Sequence, residues 1–289
     1  MITHPDKVLF PDDGITKGEV AAYYDEFAEV MLPHVRNRPI TMERFPSGIG
    51  AKGFLQKNVV KGFPEWLKRV ETPKKGGVVF YPLATSRRDL QWLANQNTVT
   101  LHVWTSRTPR LLHPDLCVID LDPSADEPDV LRAAVLAVRD AFAELNHDSW
   151  VKTSGSKGFH VVVPLRPKAT FHDASALAER VASIVIDRDP EHLTREFSKA
   201  DRGGRILIDT GRNRGGATFA APYTVRARRG APVSAPCTWD EIESGVVHPQ
   251  SFTLRTMRER LAKTGDLWAD LLPRRPRRAS VTGSPARRS

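Results

Sequence analysis

The chain has 289 residues, with 40% hydrophobic and 27% charged residues, long enough to bury a sizeable core as one large domain or two closely packed lobes and ordinary in composition for a globular protein. It has no apolar run of transmembrane length and no signal-peptide core at its N-terminus, which predicts a cytoplasmic protein with no membrane partner, while its two widely spaced cysteines, Cys117 and Cys237, support neither a disulfide framework nor a zinc site. The net charge of +9 invites a nucleic-acid reading, but six of the 43 basic residues lie between Pro273 and Ser289 with no acid, leaving 37 basic against 34 acidic residues before them.

That Pro-, Ser-, Gly- and Arg-rich tail, residues 273–289, cannot form a core and reads as a disordered arm able to touch DNA. The division expected is therefore a catalytic body over residues 1–272 followed by the tail. Within the body, basic character is concentrated between Ser198 and Gly230, where Lys199, Arg202, Arg205, Arg212, Arg214, Arg226, Arg228 and Arg229 face only Asp201 and Asp209.

Thr16-Lys17-Gly18-Glu19 has capping-box spacing, and Val20, Tyr23, Tyr24, Phe27 and Met31 recur at helical spacing, which predicts a helix from about Thr16 to Met31. Lys7 and Lys17 are left free to flank its N-terminus, where anions are attracted; solvated surface lysines are the other reading. Pro39 to Phe45 reads as a strand, followed by a Gly-rich loop and Phe54-Leu55-Gln56-Lys57. An aromatic interleaved with lysines can stack on bases and hold phosphates, although the spacing suits Phe54 as core equally well. Lys68 to Gly77 reads as a basic turn-rich loop, Arg88 to Asn95 as a short helix, and Thr98 to Trp104 as a strand carrying His102.

Leu116-Cys117-Val118-Ile119-Asp120-Leu121-Asp122 is an apolar run ending in Asp-x-Asp, the pattern of a buried strand that presents carboxylates at its end. Side chains alternate along a strand, so Asp120 and Asp122 share one face and repel unless a cation lies between them. Oxygen-seeking divalent ions bind through one or two carboxylates plus substrate phosphates, which favours metal-dependent phosphate chemistry and calls for a third acid. A helix around Leu131 to Leu145 and a strand Trp150 to Thr153 complete a β-α-β unit. The turn Ser154-Gly155-Ser156-Lys157-Gly158 then leads into the strand Phe159 to Leu165; its small residues, two hydroxyls and lysine admit an oxygen-rich ligand, without the spacing of a P-loop. After a helix over roughly Asp173 to Asp187, Arg205 to Asp209 is a second apolar run ending in a carboxylate, and Asp209 supplies the third acid. Tyr223 to Arg229 reads as a basic strand and Leu254 to Leu261 as the last helix.

Together these pieces resemble the archaeo-eukaryotic primase superfamily, and most closely the polymerase domain of bacterial ligase D. Three motifs carry the resemblance in order: apolar-Asp-x-Asp at Val118 to Asp122, a Ser-x-His-like motif at Ser154 to His160, and an apolar run with Asp at Ile206 to Asp209. The N-terminal His-Pro-Asp-Lys-Val-Leu-Phe-Pro and Thr-Lys-Gly-Glu segments add to it.

The resemblance implies an α/β fold, with an RNA-recognition-motif-like sheet bearing the acids packed on a second α/β lobe, and a template-dependent nucleotidyltransferase adding NTPs, ribonucleotides preferred, to a primer 3′-OH. It implies that Asp120, Asp122 and Asp209 hold two Mn or Mg ions, that Ser154, Ser156, Lys157, His160 and Arg226 serve the nucleotide, and that His102 lies near the primer end or sugar. For DNA with a gap or break and a 5′-phosphate it implies His4, Lys7, Lys17, Phe54, Lys57, Arg202 and Arg212, with Ku and a DNA ligase as partners in end joining at the bacterial nucleoid. Two departures stand out. Leu55 occupies the place of a second aromatic, and no Lys-x-Asp-Gly adenylation motif occurs, so a stand-alone polymerase and an excised domain both fit. A haloacid-dehalogenase-like phosphatase, with Pro123-Ser124 where Gly-Thr is expected, and a non-catalytic DNA-end-binding module are the competing readings.

Overall fold

The capping box forms as the spacing predicts. Thr16 Oγ1 accepts from the Glu19 N–H at 3.2 Å, and Glu19 Oε2 accepts from the Thr16 N–H at 2.8 Å, which satisfies two donors that a helix start leaves without partners. The computed structural model describes residues 2–271; Met1 and residues 272–289, and with them the Arg-rich tail, lie outside the described residues.

The chain begins with β1 (Val8–Phe10), β2 (Ile15–Thr16), α1 (Lys17–Glu26) and α2 (Ala28–Val35). The expected single helix is thus two, interrupted at Phe27. Hydrogen bonds from Phe27 to Tyr23 and from Met31 to Phe27 continue the ladder on both sides, so the interruption is a one-residue kink. It lets Leu32 and Val35 enter the core already occupied by Tyr24 and Phe27. Next come β3 (Ile40–Arg44), β4 (Phe54–Gln56), β5 (Arg69–Lys74), β6 (Gly77–Pro82), α3 (Arg87–Asn95) and β7 (Thr98–Trp104). The basic segment 68–77 read as a loop is mostly strand: Val70 and Thr72 alternate with exposed charged residues, and β5 pairs antiparallel with β6.

The second half holds β8 (Leu116–Asp122), α4 (Pro128–Glu144), β9 (Trp150–Thr153), β10 (Phe159–Pro164), α5 (Phe171–Arg188), β11 (Leu193–Thr194), β12 (Ile206–Asp209), β13 (Thr218–Ala220), β14 (Pro236–Cys237), α6 (Trp239–Glu243) and α7 (Met257–Thr264). Tyr223 to Arg229 is not a strand. Tyr223 takes a positive φ of 64°, and its hydroxyl donates to Asp266 at 2.7 Å while its carbonyl accepts from the Tyr23 hydroxyl at 2.8 Å; only an isolated bridge joins Val225 to Val233.

Two larger sheets position everything that follows. One has the order β11-β12-β8-β10-β9-β14, the other β13-β7-β3-β4. β10 runs antiparallel to both β8 and β9, so the strands of the β-α-β unit are parallel but separated by the strand that returns between them. Cys117, Ile119 and Leu121 point from β8 into a core beneath α4 and α5 with Val135, Phe142 and Val181. On the opposite face Leu116 and Val118 join a core shared with Ile40, Met42, Leu101 and Val103 of the second sheet. The mixed α/β architecture is the expected one.

Candidate active site

The three acids meet at the open end of β8. Asp209 of β12 is the direct cross-strand partner of Asp120, and Asp122 lies opposite Leu207. The alternation expected for Asp120 and Asp122 holds, since Ile119 and Leu121 are wholly buried on the other face. Asn213, fully buried, fixes the strand beneath them: its Oδ1 accepts from the Val118 N–H at 2.8 Å and its Nδ2 donates to the Val118 carbonyl at 2.7 Å. Nothing in the sequence pattern marks that residue, because its partner lies far away in the chain.

Two arginines sit on the acids. Arg212 Nη2 lies 3.1 Å from Asp120 Oδ2 and 3.0 Å from Asp209 Oδ2. Arg202 Nη1 lies 3.0 Å from Asp122 Oδ2, while its Nε and Nη2 donate to the carbonyls of Glu196 and Phe197 at 2.9 and 3.0 Å. Arg202 is 2% exposed, so the structure places it beneath the carboxylates and not on an outer DNA-facing surface, and Arg212 likewise turns to the acids.

A row of one residue per strand crosses the sheet in register: Asp209, Asp120, His160, Lys152. His160 Nε2 is 3.3 Å from Asp120 Oδ1. Burial, together with Lys152, pushes His160 down to about 4, so at neutral pH it is an uncharged donor to the carboxylate. Burial alone would raise Asp120; His160, Arg212 and Lys152 outweigh it and hold the carboxyl well below the usual range. Lys152, fully buried, was not singled out from the sequence; burial and the nearby Arg226 depress its amine well below the ordinary lysine range, and its Nζ bonds Ser234 Oγ.

The turn between β9 and β10 forms one wall of this site. Ser154 Oγ accepts from the N–H groups of Ser156 and Gly158, each at 3.1 Å, which curls the turn and leaves Lys157 exposed. Gly158 is obligatory, because a Cβ there would stand 1.7 Å from the Leu121 carbonyl oxygen. Arg226 Nη1 donates to the Ser154 carbonyl. Asp120, Asp122, Asp209, Ser154, Ser156, Lys157, His160, Arg202, Arg212 and Arg226 line one cavity of about 390 Å³, joined by Lys199 and Phe197, the last 78% exposed. His102 does not line it; it lies on β7 with its Nε2 3.5 Å from Glu43 Oε2.

The geometry is thus a carboxylate cluster walled by phosphate-sized polar groups, and the comparisons with known proteins agree with it. The family described as "LigD, primase-polymerase domain" matches residues 16–268. The chain is 36% identical over 274 residues to the multifunctional non-homologous end joining protein LigD of Mycolicibacterium smegmatis, covering 93% of this chain and 36% of that protein, and 30% identical over 280 residues to its counterpart in Pseudomonas aeruginosa, covering 96% and 33%. The chain belongs to the LigD primase-polymerase family. It spans about a third of the length of these relatives. The solved polymerase domain of Mycobacterium tuberculosis ligase D in complex with DNA superposes with a TM-score of 0.87 at 34% identity, covering 94% of this chain and 97% of that one. Membership makes the chain a nucleotidyltransferase and displaces the phosphatase and non-catalytic readings.

In this primase-polymerase the N-terminal basic residues are not free as expected. Lys17, 3% exposed, donates from Nζ to the Thr3 carbonyl at 2.6 Å and to Thr3 Oγ1 at 2.9 Å, and Lys7 Nζ bonds the Pro46 carbonyl. Burial lowers Lys17, and the positive charges of Lys7 and Arg44 lower it further. Among the described residues no acid pairs with Lys7 or Lys17, while His4, Asp6 and Lys7 line an adjacent cavity of about 510 Å³. Phe54 is solvent-facing and not core: it is 47% exposed beside Leu55 at 65%, on the edge strand β4, with Arg44 over its ring and Lys57 exposed alongside.

Family membership implies divalent-metal dependence. Among the described residues no group of three His, Cys, Asp or Glu side chains is gathered as a metal cage. The donor set nevertheless fits: three carboxylates at one strand end, two of them sharing a single guanidinium as cation, are hard oxygen ligands of the kind Mg²⁺ and Mn²⁺ take. Asp120, Asp122 and Asp209 are the residues that would hold the ions.

Proposed function

We propose that the chain adds nucleotides, ribonucleotides in preference, to a primer 3′-hydroxyl opposite a DNA template, filling gaps during bacterial end joining. The observation that carries this reading is the direct pairing of Asp120 with Asp209 beside the Ser154–Gly158 turn. Two bound Mn²⁺ or Mg²⁺ ions would supply the positive charge that activates the hydroxyl and neutralises the departing pyrophosphate. The chain's own part is to place the reactants. The turn, with Lys157 and Arg226, offers amide and cationic donors to a triphosphate, and the two arginines and His160 hold the acids in place.

DNA is assigned to the basic surfaces. Lys7, Lys17 and His4 receive a 5′-phosphate, while Phe54 and Lys57 meet the template. Gapped or broken DNA and NTP are the substrates on this reading, and Ku and a DNA ligase are the partners that an end-joining reaction at the nucleoid needs.

Primer extension on a gapped duplex with NTPs and Mn²⁺, run beside a phosphatase assay and a DNA-binding assay, tests the reading. Template-directed addition supports it. DNA binding without addition under any divalent metal overturns it.

A further inference from the structure

A second cavity, of about 710 Å³, opens at the other end of the strand that carries the acids. Its wall includes Asp115, which immediately precedes β8, and Pro164, which ends β10, so roughly 17 Å of strand separates it from Asp120. Pro33, Pro109, Pro114, Pro164 and Pro167 line it together with Leu165 and Trp268. Proline rings fix their own backbone and carry no N–H, which makes these walls apolar and already shaped for a ligand.

The acids of this wall are already paired. Asp115 Oδ1 lies 2.7 Å from Arg38 Nη1, and its Oδ2 accepts from Arg107 Nε at 2.8 Å. Asp266 Oδ2 lies 2.8 Å from His34 Nε2, and its Oδ1 accepts from the Tyr223 hydroxyl at 2.7 Å. Arg107 also donates to the carbonyls of Arg36 and His34, at 2.8 and 3.3 Å, and so braces the end of α2 against the segment before β8. Other donors stay uncommitted. Arg36, exposed, and Asn37, partly buried, have side chains without a hydrogen bond or ion pair to any described residue. Arg110, also exposed, gives one N–H group to the Pro167 carbonyl and keeps the rest. Exposed Arg166 and Lys168 flank Pro167 and make the rim more basic.

We propose that this cavity binds a small organic anion with an apolar body, of the aryl phosphate class, the anion held by Arg36 and Arg110 and the body laid on the proline and Leu165 wall. Two guanidinium groups with free N–H donors suit a phosphate head, and the partners of Asp115 and Asp266 blunt the repulsion that bare carboxylates would exert on it. The volume is that of a small-molecule site. The inference does not depend on the polymerase reading, because no residue of this cavity lines the one that holds the three acids.

Isothermal titration of the full chain in chelator with 1-naphthyl phosphate, 1-naphthalenemethanol and inorganic phosphate tests it. The naphthyl phosphate should bind at least about tenfold more tightly than either part alone, since only it meets both the wall and the arginines. Arg36→Ala with Arg110→Ala should weaken it about 10- to 100-fold. Ala269→Glu sets a carboxylate on an exposed part of the wall and should also weaken it, whereas Ala269→Gln, of the same size without the charge, should not. All these positions are exposed, and melting curves confirm that the variants are folded. Primer extension on a gapped duplex should be unchanged in each. Naphthyl phosphate binding that ignores the substitutions, that equals the binding of inorganic phosphate, or that is absent at about 1 mM overturns the inference. Loss of extension in step with binding overturns it as well, by placing the compound at the three acids.

Discussion

Asp120 and Asp209 stand directly opposite each other on antiparallel strands, and Arg212 Nη2 lies within 3.1 Å of both. Two carboxylates held so close repel unless a cation joins them. Their strands cannot spread to relieve the repulsion, because β8 is hydrogen-bonded on its other side to β10 and tied by Asn213. The sheet thus fixes a cation site before any ligand arrives.

Arg202 serves that site from below. Arg202→Ala removes the guanidinium from Asp122 and the donors from two carbonyls, so nucleotide addition should fall about tenfold or more while DNA affinity and its salt dependence stay unchanged. Anisotropy titrations of gapped DNA at two salt concentrations check this. A salt slope reduced by about one would mark Arg202 as a phosphate contact instead.

Gly158 should tolerate no side chain. With a Cβ 1.7 Å from the Leu121 carbonyl oxygen, Gly158→Ala must push the turn away from β8, at about 3 kcal/mol or more. Gly76→Ala, at the β5–β6 tip with φ of 76° and nothing within 4 Å, should cost about 1–2 kcal/mol. Urea unfolding of the two variants gives the comparison, and equal losses would contradict the close approach.

The Asp-x-Asp strand, the capping box at Thr16 and the helices α4 and α5 were legible because their signals are local: alternation, helical periodicity and a three-residue cap. What joins the site is not local. Arg202 reaches Asp122 across 80 positions and Asn213 reaches Val118 across 95, so the ion pairs of Arg202 and Arg212 with the acids could not be read from the sequence, where the resemblance implied only a DNA role for them. Short edge strands such as β4 and β11 carry too few residues for a period to show. Tyr223 to Arg229 has the composition of a strand, yet the left-handed turn at Tyr223, fixed by partners from α1 and near the C-terminus, overrides it.

Lys7 and Lys17 should distinguish a 5′-phosphate from a 5′-hydroxyl. Each is held by a backbone carbonyl, and burial first and then the charge of Lys7 lower Lys17, so an anion between them offsets both the burial and the repulsion. The wild type should bind a gapped duplex with a 5′-phosphate more tightly, by a margin that shrinks with salt. Lys7→Ala with Lys17→Ala should erase the margin. Equal wild-type affinity for the two ends at low salt would contradict the assignment.

His160 gives the fold a pH dependence of definite sign. In the unfolded chain it titrates near 6.5; in the fold it is pushed down to about 4 by burial and Lys152. The unfolded state therefore binds the proton first as pH falls. The stability that His160 contributes is complete above about 6.5 and is lost progressively toward pH 4, about 3 kcal/mol in all. Asp120, held below the usual range, acts in the same direction but in a lower window. Denaturant unfolding of the protein in chelator at pH 7 and 4.5 should show a steeper loss for the wild type than for His160→Gln, and parallel losses would contradict the burial of a neutral imidazole.

The three acids should be the seat of nucleotide addition and not of DNA binding. Extension of a primer across a gap with Mn²⁺, measured for the wild type, Asp120→Ala, Asp122→Ala and Asp209→Ala beside their affinities for the same gapped DNA, tests it most directly. Each substitution should reduce extension at least about 100-fold and leave DNA affinity within about twofold, since the phosphates are met by basic residues elsewhere. Near wild-type extension in any one of the three variants would remove that acid from the site, and loss of DNA affinity in step with extension would contradict the division of labour altogether.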